Sequence, residues 1–194
     1  MKVNDIFIEI GNSSDPLDLL TLFENDNPVE VEVGSGTGRF ISSEALNRPD
    51  INFLGIELAR TWARNAARRI QTTDVRNVRI ISVEAARFFR ESVLDGTVTA
   101  VHIYFPDPWP KRRHAKRRLF TPDFVEDLIR ILVSGGHIRF ATDIRGYFIH
   151  VQRLFTARSE LVQKRDDTGA VQTGYAQKFL DIGRPVFQTV FQKQ

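Results

Sequence analysis

Short apolar strands alternate with amphipathic helices five times in this chain of 194 residues. The strand patterns cover residues 28–33, 52–56, 78–83, 97–104 and 136–142, and the helical patterns cover 39–46, 58–70, 85–91, 121–132 and 144–157. A strand, a helix and another strand in succession predict a right-handed crossover between parallel strands. We therefore predict a doubly wound α/β fold, with a mostly parallel sheet and helices on both of its faces.

The C-terminal part of the chain breaks this alternation. Residues 161–164 and 186–191 both have strand patterns, and no helix-length apolar pattern lies between them. This spacing predicts an antiparallel pair, which brings the sheet to seven strands with an antiparallel C-terminal strand. No repeat, low-complexity tract or linker divides the chain, so we expect a lead-in over residues 1–27 and a single domain over 28–194.

Composition excludes several classes of site. Cysteine is absent, which rules out disulfides, thiolate metal sites and a cysteine nucleophile, and agrees with a cytoplasmic location. The four histidines lack the spacing of metal ligands, so we expect no metal. No apolar run approaches the roughly 20 residues that span a membrane, and the first ten residues lack the features of a signal peptide. A monomer and a homodimer are both compatible with the sequence.

A glycine-rich loop joins the first predicted strand to the first helix, where residues 34–38 read GSGTG. Gly34, Gly36 and Gly38 would let the backbone turn tightly beside a ligand at the helix N-terminus. Arg39 stands where a dinucleotide fingerprint has its third glycine, which disfavours pyrophosphate binding. Glu32, within the preceding strand, needs a polar or cationic partner unless the strand lies at an edge in solvent.

Acidic residues lie at or near the carboxyl end of all five predicted parallel strands. They are Glu32, Glu57, Glu84, Asp107 and Asp143. Ligands of open α/β sheets bind at this edge, and an acid about 20 residues after a glycine loop typically holds a ribose diol. The sequence therefore predicts one ligand site built from these strand ends, with Glu57 at the ribose.

The fourth strand leads into the segment YFPDPWPKRRHAKRRL at residues 104–119. Its three prolines prevent a regular helix or strand, and they enclose Asp107 and Trp109. Six cations follow within eight residues, so this segment carries a net charge of +5 whereas the whole chain carries only +3. An acid and an indole beside concentrated positive charge predict a site for a nucleic-acid base. Trp109 could stack on that base or anchor the loop to the core.

The glycine loop and its preceding acid resemble those of class I S-adenosylmethionine-dependent methyltransferases, which have a Rossmann-like fold. The run FPDPWPKRRHAKRR is similar to the signature of bacterial tRNA (guanine-N7-)-methyltransferases of the TrmB type. This resemblance covers about residues 28–183. It implies transfer of a methyl group from S-adenosylmethionine to N7 of a guanine in the variable loop of tRNA, at position 46.

The resemblance also implies residue roles. Cofactor contacts fall to Glu32, Gly34, Gly36, Gly38, Glu57, Glu84, Ala85 and Asp107, and Asp107 is also the catalytic residue. Substrate contacts fall to Lys111, Asp143, Thr173 and Tyr175, and RNA contacts to Arg113, His114, Lys116, Arg117 and Arg118. Two positions depart from the family pattern: Glu84 replaces Asp or Asn, and Ala176 replaces a glutamate of the late T-x-Y-E-x-K motif.

Guanine N7 carries a free lone pair, so its methylation requires positioning and charge compensation rather than a strong base. We hypothesise that Asp107 accepts hydrogen bonds from the Watson–Crick edge of the guanine. Two alternative functions remain. One is a small-molecule methyltransferase, which would have no use for the cations of residues 111–118. The other is a non-catalytic RNA-binding protein, which the replacement of the family's glutamate by Ala176 would explain.

Overall fold

The computed structural model describes residues 2–10, 17–109, 111–165, 173, 179 and 181–194. Its strands are β1 (Phe7–Ile8), β2 (Val29–Val33), β3 (Asn52–Ile56), β4 (Val78–Ile81), β5 (Val98–Tyr104), β6 (Leu132–Thr142), β7 (Leu161–Lys164) and β8 (Phe187–Lys193). Its α-helices are α1 (Val3–Ile6), α2 (Arg39–Asn47), α3 (Arg60–Gln71), α4 (Ala85–Ser92), α5 (Pro122–Ile131) and α6 (Arg145–Thr156), and 3₁₀ turns cover Leu19–Leu22 and Arg112–Arg117.

The strands form one sheet in the order β1-β4-β3-β2-β5-β6-β8-β7, and only β8 runs antiparallel to its neighbours. All seven predicted strands are present, and the doubly wound fold is confirmed. The prediction of seven strands was one short, because β1 in the lead-in pairs with Ile80 and Ile81 at the edge of the sheet. A two-residue strand is too short to show an alternating pattern.

Strand β6 begins four residues earlier than predicted. Its pairing with β5 is irregular between Leu132 and His137, where Gly135 has a φ of 81° and Gly136 approaches backbone atoms closely. An irregularity of this kind interrupts the alternation of inward and outward side chains, which is why the pattern from 132 to 135 did not predict a strand.

Helices cover both faces of the sheet, as predicted. A core cluster on one face joins α2 and α3 to the sheet through Ile41, Ala66, Ile70, Phe53 and Ile80. A larger cluster on the opposite face joins the sheet to α4, α5 and α6, with Phe89, Phe124, Phe140 and Phe155 among its members. The two layers bury every residue of β2 and β3 and all of β5 except Thr99 and Tyr104, so the carboxyl ends of these strands form a fixed edge.

A buried polar network lies beneath α2. Glu30 of β2 accepts two hydrogen bonds from Arg48 (2.8 and 2.6 Å) and lies 2.8 Å from Nε2 of His102, whose Nδ1 lies 2.9 Å from the Tyr104 hydroxyl. Burial by itself would raise the pKa of Glu30, but His102 and Arg48 outweigh burial and lower it to about 2. His102 is therefore a buried strand residue with local hydrogen bonds.

Gly38 sets the distance between α2 and α3. It precedes the first residue of α2 with a φ of 71°, and a Cβ at this position would lie 3.1 Å from Cβ of Ala66 in α3. A side chain here would incur both the strain of the left-handed conformation and a steric contact with α3. Glycine is thus required at 38 by packing as well as by the backbone.

We predict that Gly38→Ala lowers the free energy of unfolding by about 2–4 kcal/mol, measured by urea denaturation. Gly96→Ala is the matched control, because Gly96 has a similar φ of 62° but no atom within 4 Å of its Cβ position. The control should lose only about 1–2 kcal/mol. Equal losses for the two variants would show that the contact with Ala66 contributes nothing.

Candidate active site

Two adjoining cavities open at the carboxyl edge of the sheet. The smaller, of about 290 Å³, is lined by the glycine loop together with Glu32, Phe40, Tyr104, Phe105 and Thr173. The larger, of about 680 Å³, is lined by the ends of β3, β4 and β5 and by Lys116, Arg117 and Arg118 of the Pro-rich segment. Gly34, Tyr104 and Phe105 line both cavities and so form their common wall.

Four of the five predicted acids line these cavities. Glu32 lines the smaller cavity, and Glu57, Glu84 and Asp107 line the larger one. Asp143 is not among the described residues that line either. The prediction that parallel strand ends gather acids at one edge therefore describes the structure, although the acids have different surroundings.

Glu32 is buried at the centre of the sheet, since β2 lies between β3 and β5 and the residue is only 5% exposed. The alternative of an edge-strand glutamate in solvent is wrong. Among the described residues its Oε2 has no hydrogen-bond partner. Burial, reinforced by the negative charges of Glu57 and Glu44, raises the pKa of Glu32 to about 8, against a hydrogen bond from the Ile41 backbone. This carboxyl lacks a cation and lines a cavity large enough to admit one.

The glycine loop is tied to Glu57. Gly34, Gly36 and Gly38 have φ values of 80°, 51° and 71°, and the Gly36 N–H donates to Oε2 of Glu57 at 3.0 Å. The Ala59 N–H donates to the other carboxylate oxygen, also at 3.0 Å. Each oxygen keeps a lone pair, so Glu57 can still accept from a ligand hydroxyl while it fixes the loop.

Glu84 caps helix α4. Its two carboxylate oxygens accept from the N–H groups of Ala86 (3.0 Å) and Arg87 (2.8 Å), and the side chain is exposed. These two contacts satisfy N–H groups that the first turn of a helix leaves without a partner. Ala85 opens the helix and lines the larger cavity beside it.

The Pro-rich segment is held together by its own cations. The guanidinium of Arg118 donates to the carbonyl oxygens of Pro108 (3.0 Å) and Trp109 (3.2 Å) and lies over the ring of Tyr147. Arg117 lies 5.0 Å from the centre of the Trp109 ring, and His114 contacts the same ring edge-on. Phe105 and Trp109 have positive φ values of 52° and 39°, which residues other than glycine rarely adopt, and the bond from Arg118 helps to hold Trp109 in this conformation.

Asp107 projects from this rigid segment. Its side chain is exposed, and no hydrogen bond or ion pair joins it to any other described residue. The predicted RNA-contact residues Arg113, Lys116 and Arg117 are exposed, whereas Arg118 is partly buried and holds the backbone. Lys111 is exposed beside them. Trp109 packs against the segment's own side chains.

Asp143 has a partner that the sequence did not predict. Its carboxylate accepts from Arg184 at 3.0 Å, and its side chain is only 13% exposed. Arg184 also lies over the ring of Phe179, which packs against Phe105 of the Pro-rich segment. This ion pair joins the turn before β8 to the carboxyl end of β6. An arginine in a Gly-Arg-Pro turn gives no sequence signal for such a contact.

Thr173, a predicted substrate contact, lines the smaller cavity. Tyr175 and Ala176 lie outside the described residues, so their predicted roles stay predictions. Within the described ranges, no group of three or more His, Asp or Glu side chains is arranged to hold a metal ion. None of the helices in those ranges has the length and apolar character needed to cross a membrane.

The family model Methyltransf_4, described as "Putative methyltransferase", matches residues 26–189. A tRNA (guanine-N(7)-)-methyltransferase of Bacillus licheniformis is 37% identical over 87% of this chain and 82% of the relative. Its counterpart from Rhodopirellula baltica is 36% identical over 90% of this chain and 69% of the relative.

Two solved structures share the fold. A 30S ribosomal A1408 methyltransferase from an uncultured bacterium superposes with a TM-score of 0.63 and 19% identity, over 91% of this chain and 92% of that protein. A SAM-dependent methyltransferase from Aquifex aeolicus has a TM-score of 0.61 and 13% identity, over 91% and 88% of the two chains.

Glu32 generates a prediction about stability. The pKa of Glu32 is about 8 in the folded protein and near 4.5 in the unfolded chain. The contribution of Glu32 to the free energy of unfolding is therefore fully present below pH 4.5, and it is lost as the pH rises through 8. We therefore expect Glu32→Gln to gain stability relative to wild type between pH 5 and 9, on the order of 3–5 kcal/mol. Unfolding free energies measured at several pH values test this. Parallel curves for the two proteins would contradict it.

Proposed function

The chain belongs to the tRNA (guanine-N7-)-methyltransferase family, and on that premise we propose that it transfers a methyl group from S-adenosylmethionine to N7 of a guanine in the variable loop of tRNA. The observation that carries this proposal is the pair of adjoining cavities: one contains a buried acid without a cation, and the other contains an exposed acid beside a basic segment. We also infer a cytoplasmic location, where tRNA is made and used.

The residues around the two cavities fit S-adenosylmethionine. Glu32 and the glycine loop would hold the positively charged methionyl part, because a cation would compensate the buried carboxyl that otherwise remains protonated. Glu57 would accept from the ribose hydroxyls, and Glu84 and Ala85 would border the adenine. When bound, S-adenosylmethionine supplies an electrophilic methyl group on a sulfonium.

The substrate side requires a different chemistry. A guanine N7 lone pair needs no proton removal, so the protein has to orient the base and offset the positive charge that develops on the purine. Asp107 suits both tasks, because its carboxylate is free of other described partners and is held on a segment that Arg118 and Trp109 make rigid. Lys111, Thr173 and Tyr175 would complete the base pocket.

In the proposed reaction, the ion pair between Asp143 and Arg184 limits how Asp143 can contact the guanine. Since Arg184 already occupies part of its carboxylate, Asp143 can offer the guanine only its remaining lone pairs. Exposed cations of the Pro-rich segment, Arg113, Lys116 and Arg117, would contact tRNA phosphates together with His114 and the remaining donors of Arg118. Such contacts position the RNA without reading its sequence.

We expect Asp107→Ala to lower methyl transfer at least about 100-fold, because it removes the group that stabilises the developing charge. Transfer is measured with methyl-labelled cofactor and unmodified tRNA, and 7-methylguanine is mapped by borohydride and aniline cleavage. Thermal stabilisation by S-adenosylmethionine should persist in the variant.

The matched control is Asp123→Ala, which removes another exposed acid that lies in the first turn of α5. Similar turnover in the two variants would refute the role of Asp107. If wild-type protein transfers no label to a variable-loop guanine, the proposed reaction is wrong. Failure of S-adenosylmethionine to raise the melting temperature would indicate a non-catalytic RNA-binding protein.

A further inference from the structure

Helix α3 presents an arginine-rich surface that the proposed reaction does not use. Residues 58–73 include four arginines and no acid. Arg60, Arg64, Arg68 and Arg69 are all exposed, because α3 buries only alanines and Ile70 against the sheet. A helix whose outer side carries several cations and no acid is suited to bind a polyanion.

An exposed tryptophan lies in this surface. Trp62 is 51% exposed, in the first turn of α3. Helical geometry places Arg69 on the same stripe seven residues later, about 10 Å further along the axis. Exposed indoles beside arginines are the combination with which proteins hold single-stranded nucleic acid, since a base can stack on the ring while cations contact the phosphates.

The arginine-rich surface of α3 begins close to the larger cavity. Glu57 and Leu58 line that cavity, and α3 begins two residues after them. Leu58 is 70% exposed at this rim. Lys116 and Arg117 of the Pro-rich segment line the same cavity. A basic segment therefore lines the cavity on one side, and an arginine-rich helix begins beside the cavity on another.

The arginines of α3 fall into two groups. Arg60 and Arg64 both pair with Glu9 and lie over the ring of Phe7, so they attach the lead-in to the helix. Arg68 donates weakly to Asn65 at 3.3 Å. For Arg69, no side-chain hydrogen bond or ion pair joins it to another described residue. Trp62 and Arg69 therefore define the stripe available to a partner.

We propose that the Trp62–Arg69 stripe of α3 is a second RNA-docking surface, which holds an unpaired or distorted stretch of the tRNA while the target guanine enters the site. The proposal rests on the proposed function only for the identity of the RNA. Trp62 stacks on a base, and Arg69 neutralises one backbone phosphate. Both residues are positioning residues, remote from the reacting atoms.

The test compares the variants Trp62→Ala, Arg69→Ala and Arg153→Ala. Arg153 is the matched control, an exposed arginine on α6 on the opposite face of the sheet. Affinity of the full-length protein for unmodified tRNA is measured at several salt concentrations. Arg69→Ala should weaken binding and reduce the slope of log affinity against log salt by about 0.7–0.9, the value for one phosphate contact. Trp62→Ala should weaken binding about 10-fold or more without changing that slope.

Methyl transfer separates this surface from the chemistry. At saturating tRNA both α3 variants should keep the wild-type kcat, and only KM for tRNA should rise. If Arg69→Ala and Trp62→Ala bind tRNA as Arg153→Ala does, the docking surface is refuted even where methylation is normal. An effect of Trp62→Ala on self-association alone would also overturn it. If the wild type binds tRNA through α3 but transfers no methyl group, the proposed reaction fails and the surface stands.

Discussion

The site contains a buried acid, Glu32, which lacks the cation that Glu30 has on the same face of the central strand. Glu30 and Glu32 are both buried in β2, yet the pKa of Glu30 is lowered to about 2 and that of Glu32 is raised to about 8. The difference lies in their partners. Burial disfavours the charged form of each, but Arg48 and His102 reverse this for Glu30. Glu32 has no cation among the described residues, so burial favours the neutral form of its carboxyl.

Hydrogen bonds and an ion pair from charged side chains hold the walls of the cavities in place. Glu57 holds the glycine loop, Glu84 caps α4, Arg118 holds the Pro-rich segment, and Arg184 joins the turn before β8 to Asp143. Each contact pairs a charged side chain with backbone groups or with an opposite charge. Asp107 is the predicted site acid with neither a backbone nor a side-chain partner among the described residues, which is consistent with its role toward an incoming base.

Much of the site could be predicted from the sequence because parallel sheets gather strand ends at one edge. Glu32, Glu57, Glu84 and Asp107 were assigned to the site by this rule, and all four line the two cavities. The rule does not say what each acid contacts. Asp143 obeys it and yet lies in an ion pair with Arg184, 41 residues away in the chain. Contacts of that range depend on how the terminal strands return to the sheet.

The doubly wound sheet, its antiparallel end and the family could be predicted from residue patterns, because they depend on periodicity and on a long contiguous motif. The raised pKa of Glu32, the partner of Asp143 and the edge strand β1 became visible only in the folded protein. Burial and pairing are properties of the assembled layers, and Glu30 and Glu32 lie two residues apart with opposite pKa shifts. No local pattern distinguishes these two glutamates, whereas the three-dimensional positions of Arg48 and His102 do.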